Sequence, residues 1–367
     1  MWLARATPYR YPSGSMLQTL HIKGFRGIRD LEMSDLAPVT VFTGENGAGK
    51  TTVLEAALAI CGRENPVWIA NLQAHRGFDV VTPQGPNYSG LFYGPSDTGT
   101  ASISAKLADG KTCRVKLKRA KTGAILVGKE RGSSSTDIQS LPPELICEAY
   151  EGKVLKRTSR LICEIKPPNQ LALRAEGAKV AEPYSVLMHP TDRAAGSEEQ
   201  QRFGQLVLEG HHSSIVDALH LFDERITDVQ FLPTSKGNYF VVKRDGKIAP
   251  LGLLGGGING LFRFIINVAF ARGGFVGIDE VENGFHHSLH REVFVRLFEA
   301  ANRNNTQLFL TTHSAEALRA LVDAATETKE DDFAVVHLRR EKDDAIFAKV
   351  FREHDALASL DLGYELR

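Results

Sequence analysis

Eight residues, GENGAGKT from Gly44 to Thr51, have the spacing G-x-x-x-x-G-K-[ST]. Glycines placed this way let successive backbone N–H groups curl around a phosphate, and a helix starting behind them adds partial positive charge. Lys50 would reach the β- and γ-phosphates, and the Thr51 hydroxyl would ligate Mg²⁺. The phosphate-binding set on this reading is Gly44, Glu45, Asn46, Gly47, Ala48, Gly49, Lys50, Thr51 and Thr52. A second group, Asp279 and Glu280, ends the apolar stretch FVGI. Asp279 suits an outer-sphere Mg²⁺ role and Glu280 suits polarising an attacking water. A third is His313, which follows the apolar run LFLTT and could hydrogen-bond a terminal phosphate.

A competing pattern lies in LLGGGINGLFRF, where Gly255, Gly257 and Gly260 spell G-x-G-x-x-G and Asp279 follows about twenty residues later. That is the spacing of a dinucleotide-binding fingerprint. Its context contradicts it. The preceding strand, KIAPLGLL, carries Pro250 and Gly252, which suit a buried central strand poorly, and the fingerprint leaves a complete P-loop unexplained.

These groups need strands to deliver them and helices to back them. LQTLHIKGF and VTVFTG read as strands, and KTTVLEAALAI as a helix. In ISAKLADGKTCRVKLK a three-residue loop, Ala108 to Gly110, pairs Ile103 with Val115 and Ala105 with Cys113 on one face. Residues 132–201 resist reading because GSSS, LPPE and KPPN interrupt any pattern. SSIVDALHLFDERI reads as a helix and NYFVVKRDGKIAP as a hairpin around Asp245-Gly246. The last third alternates: helix from Leu261, strand GFVGID, helix Phe285 to Asn302, strand QLFLTT, helix Ala315 to Ala325, then strands FAVVHLRR and AIFAKVF. Strands separated by helices imply a mainly parallel sheet in an α/β fold.

The chain of 367 residues is 43% hydrophobic and 24% charged, as expected of a globular protein with a sizeable core. Lys+Arg 44 against Asp+Glu 44 gives no net charge, so no global basic footprint marks a nucleic-acid partner. The longest apolar run, Leu261 to Ala271, is too short for a bilayer, so no membrane association is expected. Cys61, Cys113, Cys147 and Cys163 are widely spaced without a C-x-x-C pair, which points to a reducing, cytoplasmic compartment. Residues 1–15 read as a disordered leader or an expression remnant rather than a signal peptide.

Gly44–Thr51, the Gly255–Gly257 loop, Asp279–Glu280 and His313 stand in the order Walker A, signature, Walker B and H-loop, which resembles the ABC-type ATPases. LHIKGFRGIRDLEM, DEVENGFHH and THS look like the RecF/SMC/OLD branch, and most like stand-alone AAA-type ATP-binding proteins of bacterial and phage-defence loci. The resemblance covers most of the chain from Met16, thinly between residues 132 and 201. It implies a P-loop NTPase with a two-lobed head: residues 16–131 as P-loop lobe with an antiparallel β subdomain, 132–245 as insertion and helical subdomain, and 246–367 carrying signature, Walker B and H-loop. It also implies ATP and Mg²⁺ as cofactors and a homodimer or higher homo-oligomer with composite sites. Each site takes its P-loop from one subunit and its signature from the other. A separate effector in trans, such as a nuclease, is expected, because the segment after His313 lacks the acidic cluster of a Toprim domain. Anti-phage defence or DNA-related work follows from the same likeness. The alternative is an ATP-switched scaffold with little turnover that binds a protein partner or DNA.

This sequence departs from the family pattern at the signature, where Leu254-Gly255-Gly256-Gly257-Ile258 lacks the usual serine and glutamine. Contact to a partner's nucleotide then falls to the backbone N–H groups of Gly255, Gly256 and Gly257, helped by Asn259, and hydrolysis is expected to be slow. A Q-loop glutamine has two candidates, Gln73 and Gln84. Phe25 and Arg26 would border the adenine by resemblance. Glu282, His286 and His290 have a zinc-compatible spacing on a predicted helix, although their position after Asp279–Glu280 favours a subunit-contacting loop. Arg114, Lys116 and Lys118, with Arg119 and Lys121 beyond, line a strand face that is either solvated or a track for a DNA backbone.

Overall fold

The computed structural model describes residues 16–82, 85–94, 99–120, 124–126, 138–140, 143–166, 170–178, 185–189, 197–234, 237–328, 333–352 and 355–356. Residues 1–15, Gln84 and Lys121 lie outside them. The first part of the chain runs through β1 (Leu17–Phe25), β2 (Ile28–Met33) and β3 (Val39–Thr43), then α1 (Lys50–Cys61) and α2 (Pro66–Asn71). A short ribbon pairs β4 (Val81–Thr82) with β5 (Gly85–Pro86). The hairpin β6 (Thr100–Leu107) and β7 (Thr112–Ala120) follows, then a second ribbon of β8 (Ala124–Leu126) and β9 (Ile138–Ser140). Three longer strands, β10 (Glu144–Glu151), β11 (Val154–Lys166) and β12 (Gln170–Glu176), precede β13 (Ser185–Met188).

The second part contains α3 (Ser197–Leu208), α4 (His212–Phe222), β14 (Ile226–Thr234), β15 (Gly237–Arg244) and β16 (Lys247–Pro250). It continues through α5 (Gly256–Phe270), β17 (Phe275–Ile278), α6 (His290–Asn304), β18 (Gln307–Thr311) and α7 (Ala315–Thr328). It closes with β19 (Phe333–Arg340) and β20 (Ile346–Arg352).

Two sheets dominate. A seven-stranded antiparallel sheet has the order β12-β11-β10-β7-β6-β1-β2, and a six-stranded sheet has the order β13-β17-β18-β3-β19-β20. The second is parallel except for its last pair, β19 with β20. Helix α1 lies between the sheets, touching β1, β6 and β7 on one side and β13, β17 and β18 on the other. This explains why its apolar residues run all round it, from Val53 to Ile60 without an exposed position. The parallel sheet separates two cores by simple alternation. Phe42, Phe275 and Phe309 face α1 with edge-on ring contacts at 5.1–5.2 Å. Val41, Val276, Ile278, Leu308 and Leu310 face α5, α6 and α7. The fold is therefore α/β, with a mainly parallel core sheet, an antiparallel β layer and a helical layer that includes the signature segment.

The β6–β7 hairpin has the expected register, Ile103 opposite Val115 and Ala105 opposite Cys113, with Gly110 at φ 82°. The β15–β16 turn at Asp245-Gly246 is also as expected, both residues having positive φ. Other boundaries differ. Strands β10–β12, from the unreadable stretch, extend the antiparallel sheet that β1, β2, β6 and β7 form. Helix α4 stops at Phe222, because Asp223 leaves the helical region and pairs with Arg225 and Arg244. Those hydrogen bonds, Arg225 foremost, hold its carboxyl down at about 2. Among the described residues no helix is long and apolar enough to cross a membrane.

Candidate active site

Strand β3 is buried at all five positions and delivers the loop Gly44–Gly49 to the start of α1. Gly44, Gly47 and Gly49 have φ of 130°, 83° and 102°, a range that glycine alone adopts freely. Helix α1 begins with no side-chain cap and no acidic residue in its first turn, so its leading N–H groups remain available to an anion. Lys50 is 5% exposed, and its ammonium donates to the carbonyls of Gly44 at 2.6 Å and Glu45 at 3.0 Å. Burial pushes its pKa down, against the opposing pull of Asp279, Glu280 and Glu282.

Strand β18 separates β3 from β17, and a hydroxyl at its end joins the acidic pair to the P-loop side of the sheet. Thr311 donates to Asp279 Oδ1 at 2.6 Å and accepts from the Glu280 N–H at 2.8 Å. Asp279 in turn accepts from the Thr51 hydroxyl, at 2.9 Å to Oδ2 and 3.1 Å to Oδ1. Thr51 and Asp279, 228 residues apart in sequence, thus meet through a hydroxyl–carboxylate hydrogen bond. Their hard oxygen atoms suit Mg²⁺, which binds through one or two carboxylates plus water and substrate phosphate rather than through an all-protein cage. Glu280 sits at φ 49°, a left-handed conformation costing roughly 1–3 kcal/mol in a non-glycine residue. Asn283 holds its carboxylate by donating to Oε2 at 2.5 Å. His313 is exposed, and its backbone N–H donates to Glu282 Oε1 at 3.1 Å. Glu282 therefore ties the His313 segment to the acidic one.

The Gly255–Asn259 segment differs from expectation. Helix α5 starts at Gly256, not Leu261, so Gly256, Gly257 and Asn259 belong to its first turns and Gly255 alone precedes it. The reason is close packing. A Cβ on Gly256 would stand 2.9 Å from the Gly284 carbonyl, and one on Gly260 would stand 2.6 Å from the Phe285 ring. Two of these glycines are thus notches for the segment that follows Glu280, while Gly255 and Gly256 themselves are exposed. Phe285 fills a notch, and α6 begins only at His290, five residues later than expected.

That shift also removes the zinc-compatible spacing. His286 caps a short turn with its side chain accepting from the Ser288 N–H, while His290 is buried and stacked on Phe294. Among the described residues no three His, Cys, Asp or Glu side chains are grouped to hold a metal. Gln73 is fully buried and donates to the Asn87 carbonyl, so it braces a loop. On β7, Arg114 lies 4.4 Å from the Tyr150 ring centroid, and Lys118 pairs with Glu148 at 2.5 Å. The basic strip is therefore partly engaged by its own sheet.

Phe25 and Arg26 do not border an open base site. Phe25 is fully buried, and Arg26 turns inward to Glu55 at 2.8 Å and to the carbonyls of Leu72 and Gly90. Glu55, on α1, is fully buried and also accepts from Arg76 at 2.8 and 2.9 Å. Arg76 reaches Thr52 Oγ1 as well, at 3.3 Å, linking this pair of ion bridges to the P-loop helix. Sequence reasoning missed Glu55 and Arg76. The available signal was one acid inside the apolar run TTVLEAALAI, which a buried helix tolerates only with a partner. Glu55→Ala should cost about 3–5 kcal/mol, because it leaves buried guanidinium charge unpaired. Denaturant unfolding of wild type and variant measures it.

A glycine loop at the end of a core strand, an acidic pair two strands away and a threonine strand between them define a P-loop nucleotide-binding α/β protein. The comparisons with known proteins narrow this class. Residues 19–141 match a family model described as "AAA domain", and residues 166–319 match one described as "AAA domain, putative AbiEii toxin, Type IV TA system". A Helicobacter pylori protein named ATP/GTP phosphatase is 22% identical over 340 residues, 87% of this chain and 90% of that protein. Uncharacterized protein MJECL10 of Methanocaldococcus jannaschii is 44% identical over 50 residues, 13% of this chain and 23% of that protein. Among solved structures, an Smc head bound to the C-winged helix domain of ScpA aligns at TM-score 0.49 and 12% identity, over 93% of this chain and 99% of that one. The SMC head domain of Thermotoga maritima aligns at TM-score 0.42 and 14% identity, over 92% and 99%. The chain is thus similar to AAA-type ATPases over residues 19–141 and 166–319.

Proposed function

We propose that the protein binds ATP with Mg²⁺ at Gly44–Thr52 and hydrolyses it, and that nucleotide-gated dimerisation controls a separate effector. The observation that carries the hydrolytic part is the chain Thr51–Asp279–Thr311–Glu280, in which one carboxylate and one backbone N–H are fixed by two hydroxyls. Bound Mg²⁺ supplies charge neutralisation on the phosphates. Lys50 and the N–H groups that open α1 bind and orient the anion. Thr51 and Asp279 are the residues suited to hold the metal directly and through water. Glu280, oriented by Asn283, takes a proton from the attacking water. His313, whose backbone is tied to the acidic segment through Glu282, is the residue we assign to hydrogen-bond a terminal phosphate.

The dimer reading is supported by the exposure of Gly255 and Gly256 at the start of α5, where the Cβ position of Gly255 faces open space and that of Gly256 meets the Gly284 carbonyl. An exposed helix start with unencumbered N–H groups suits the nucleotide of a second copy. The family description over residues 166–319, "AAA domain, putative AbiEii toxin, Type IV TA system", supports a role in defence. Glu280→Gln retains the phosphate cradle while removing the proton acceptor, so it should accumulate the ATP-bound dimer. Light scattering should show its mass doubling on addition of ATP and Mg²⁺. A mass that is the same with and without nucleotide contradicts the gating. A dimer with undetectable turnover in the wild type as well would assign the protein to the ATP-switched scaffolds.

A further inference from the structure

One element outside the P-loop meets all three of its positive-φ glycines. It is the β19–β20 hairpin. A Cβ on Gly44 would stand 2.1 Å from the Leu338 carbonyl, and one on Gly49 would stand 3.3 Å from the Ile346 side chain. Gly47, at the loop's apex, has open space at its Cβ position, but its carbonyl accepts from Arg340 Nε at 2.9 Å. The same guanidinium donates through Nη2 to the Gly27 carbonyl in the β1–β2 turn at 2.9 Å, and through Nη1 to Asp344 Oδ1 at 3.0 Å. Asp344 Oδ2 accepts from the Tyr93 hydroxyl at 3.2 Å. Two turns and the loop apex are therefore joined through one planar side chain, held in place by a carboxylate that is itself held.

We infer that Arg340 is a positioning residue of the nucleotide site, setting the P-loop apex from the far end of the chain. The inference rests on the reading of Gly44–Thr51 as a phosphate cradle. A trans peptide carries its C=O and N–H on opposite sides. Anchoring the Gly47 carbonyl on Arg340 turns the Ala48 N–H to the opposite side, where it donates to the Glu45 carbonyl at 3.1 Å and closes the turn at the loop apex. That turn sets the curl that a ring of backbone N–H groups needs to surround a phosphate. An isolated pair of Arg340 with Asp344 at the surface would carry little weight. The distinguishing feature is the fork: two backbone carbonyls from segments 20 residues apart are met by one edge of the planar guanidinium while its third nitrogen holds Asp344, an arrangement that a single ammonium point donor reproduces only in part.

The test compares Arg340→Ala, Arg340→Lys and Asp344→Asn with wild type by titration of fluorescent ATP and ADP analogues and by steady-state hydrolysis. Arg340→Ala should raise Kd for both nucleotides about tenfold, the loss expected for one charge-assisted contact. KM should rise with it while kcat stays within about twofold, since the contact is remote from Glu280. Arg340→Lys should recover part of the affinity and Asp344→Asn should lose a few-fold. The unliganded melting temperature of Arg340→Ala should match wild type, which a merely structural role would not predict. Nucleotide affinity of Arg340→Ala within twofold of wild type overturns the inference, provided Lys50→Ala has lost binding in the same assay. If Arg340→Ala does not fold, Arg340→Lys decides: wild-type affinity overturns the inference and a raised Kd supports it. Wild type that binds neither nucleotide would instead remove the phosphate cradle on which the inference rests.

Discussion

Lys50→Ala should leave a folded protein whose affinity for ATP and ADP has fallen at least about a hundredfold. Lys50 is 5% exposed and its ammonium rests on the Gly44 and Glu45 carbonyls, so it stands inside the cradle. Two charge-assisted hydrogen bonds to phosphate at roughly 1.5–3 kcal/mol each correspond to a factor of about 10² to 10⁴. Burial has already removed much of the hydration of this ammonium and lowered its pKa, so its preference for an anionic ligand is strong. Its present partners are backbone carbonyls, not a paired carboxylate, so truncation strands no buried counter-charge. Isothermal titration of wild type and variant, with circular dichroism as the folding control, measures the loss. Unchanged affinity would place nucleotide binding away from α1.

The second large effect is expected at Glu280. Glu280→Gln should bind ATP as wild type does while steady-state turnover falls about 10²- to 10⁴-fold, the usual contribution of a positioned proton acceptor. The substitution keeps the side chain's shape, and the Glu280 N–H still reaches the Thr311 hydroxyl, so the left-handed backbone at φ 49° stays supported. Asp279 keeps both of its hydroxyl partners, Thr51 and Thr311. A drop in turnover without a change in binding therefore isolates proton transfer from phosphate and metal binding. Equal turnover in variant and wild type would remove Glu280 as the base and leave Asp279 with only an orienting role.

The parts of this site that were legible in the sequence are those whose chemistry is local. Gly44–Thr51 carries its glycines, lysine and threonine within eight residues, and the strand and helix around it are independently readable. The β6–β7 and β15–β16 hairpins were legible for the same reason, since a three-residue or two-residue loop dictates its register. The supports were not. Arg340 and Gly47 are 293 residues apart, and Arg76 and Glu55 meet only because α1 is wrapped by both sheets. Thr311 looks like any strand-end threonine until β18 is known to lie between β3 and β17. Helix starts at Gly256 and His290 were misjudged because glycine and turn propensities were outweighed by packing, with Phe285 occupying the notch at Gly260. Strands β10–β12 were hidden by proline breaks and by apolar residues on the outer face, Ile146 and Ile162 among them, which blur the alternation.

The most direct measurement is phosphate release from ATP by the purified chain, with Mg²⁺ and with EDTA, beside Lys50→Ala and Glu280→Gln. The site described here predicts release by wild type that stops on chelation, and none above background in either variant. Release that persists equally in Lys50→Ala, or wild type that releases no phosphate while binding ATP–Mg²⁺, would contradict it.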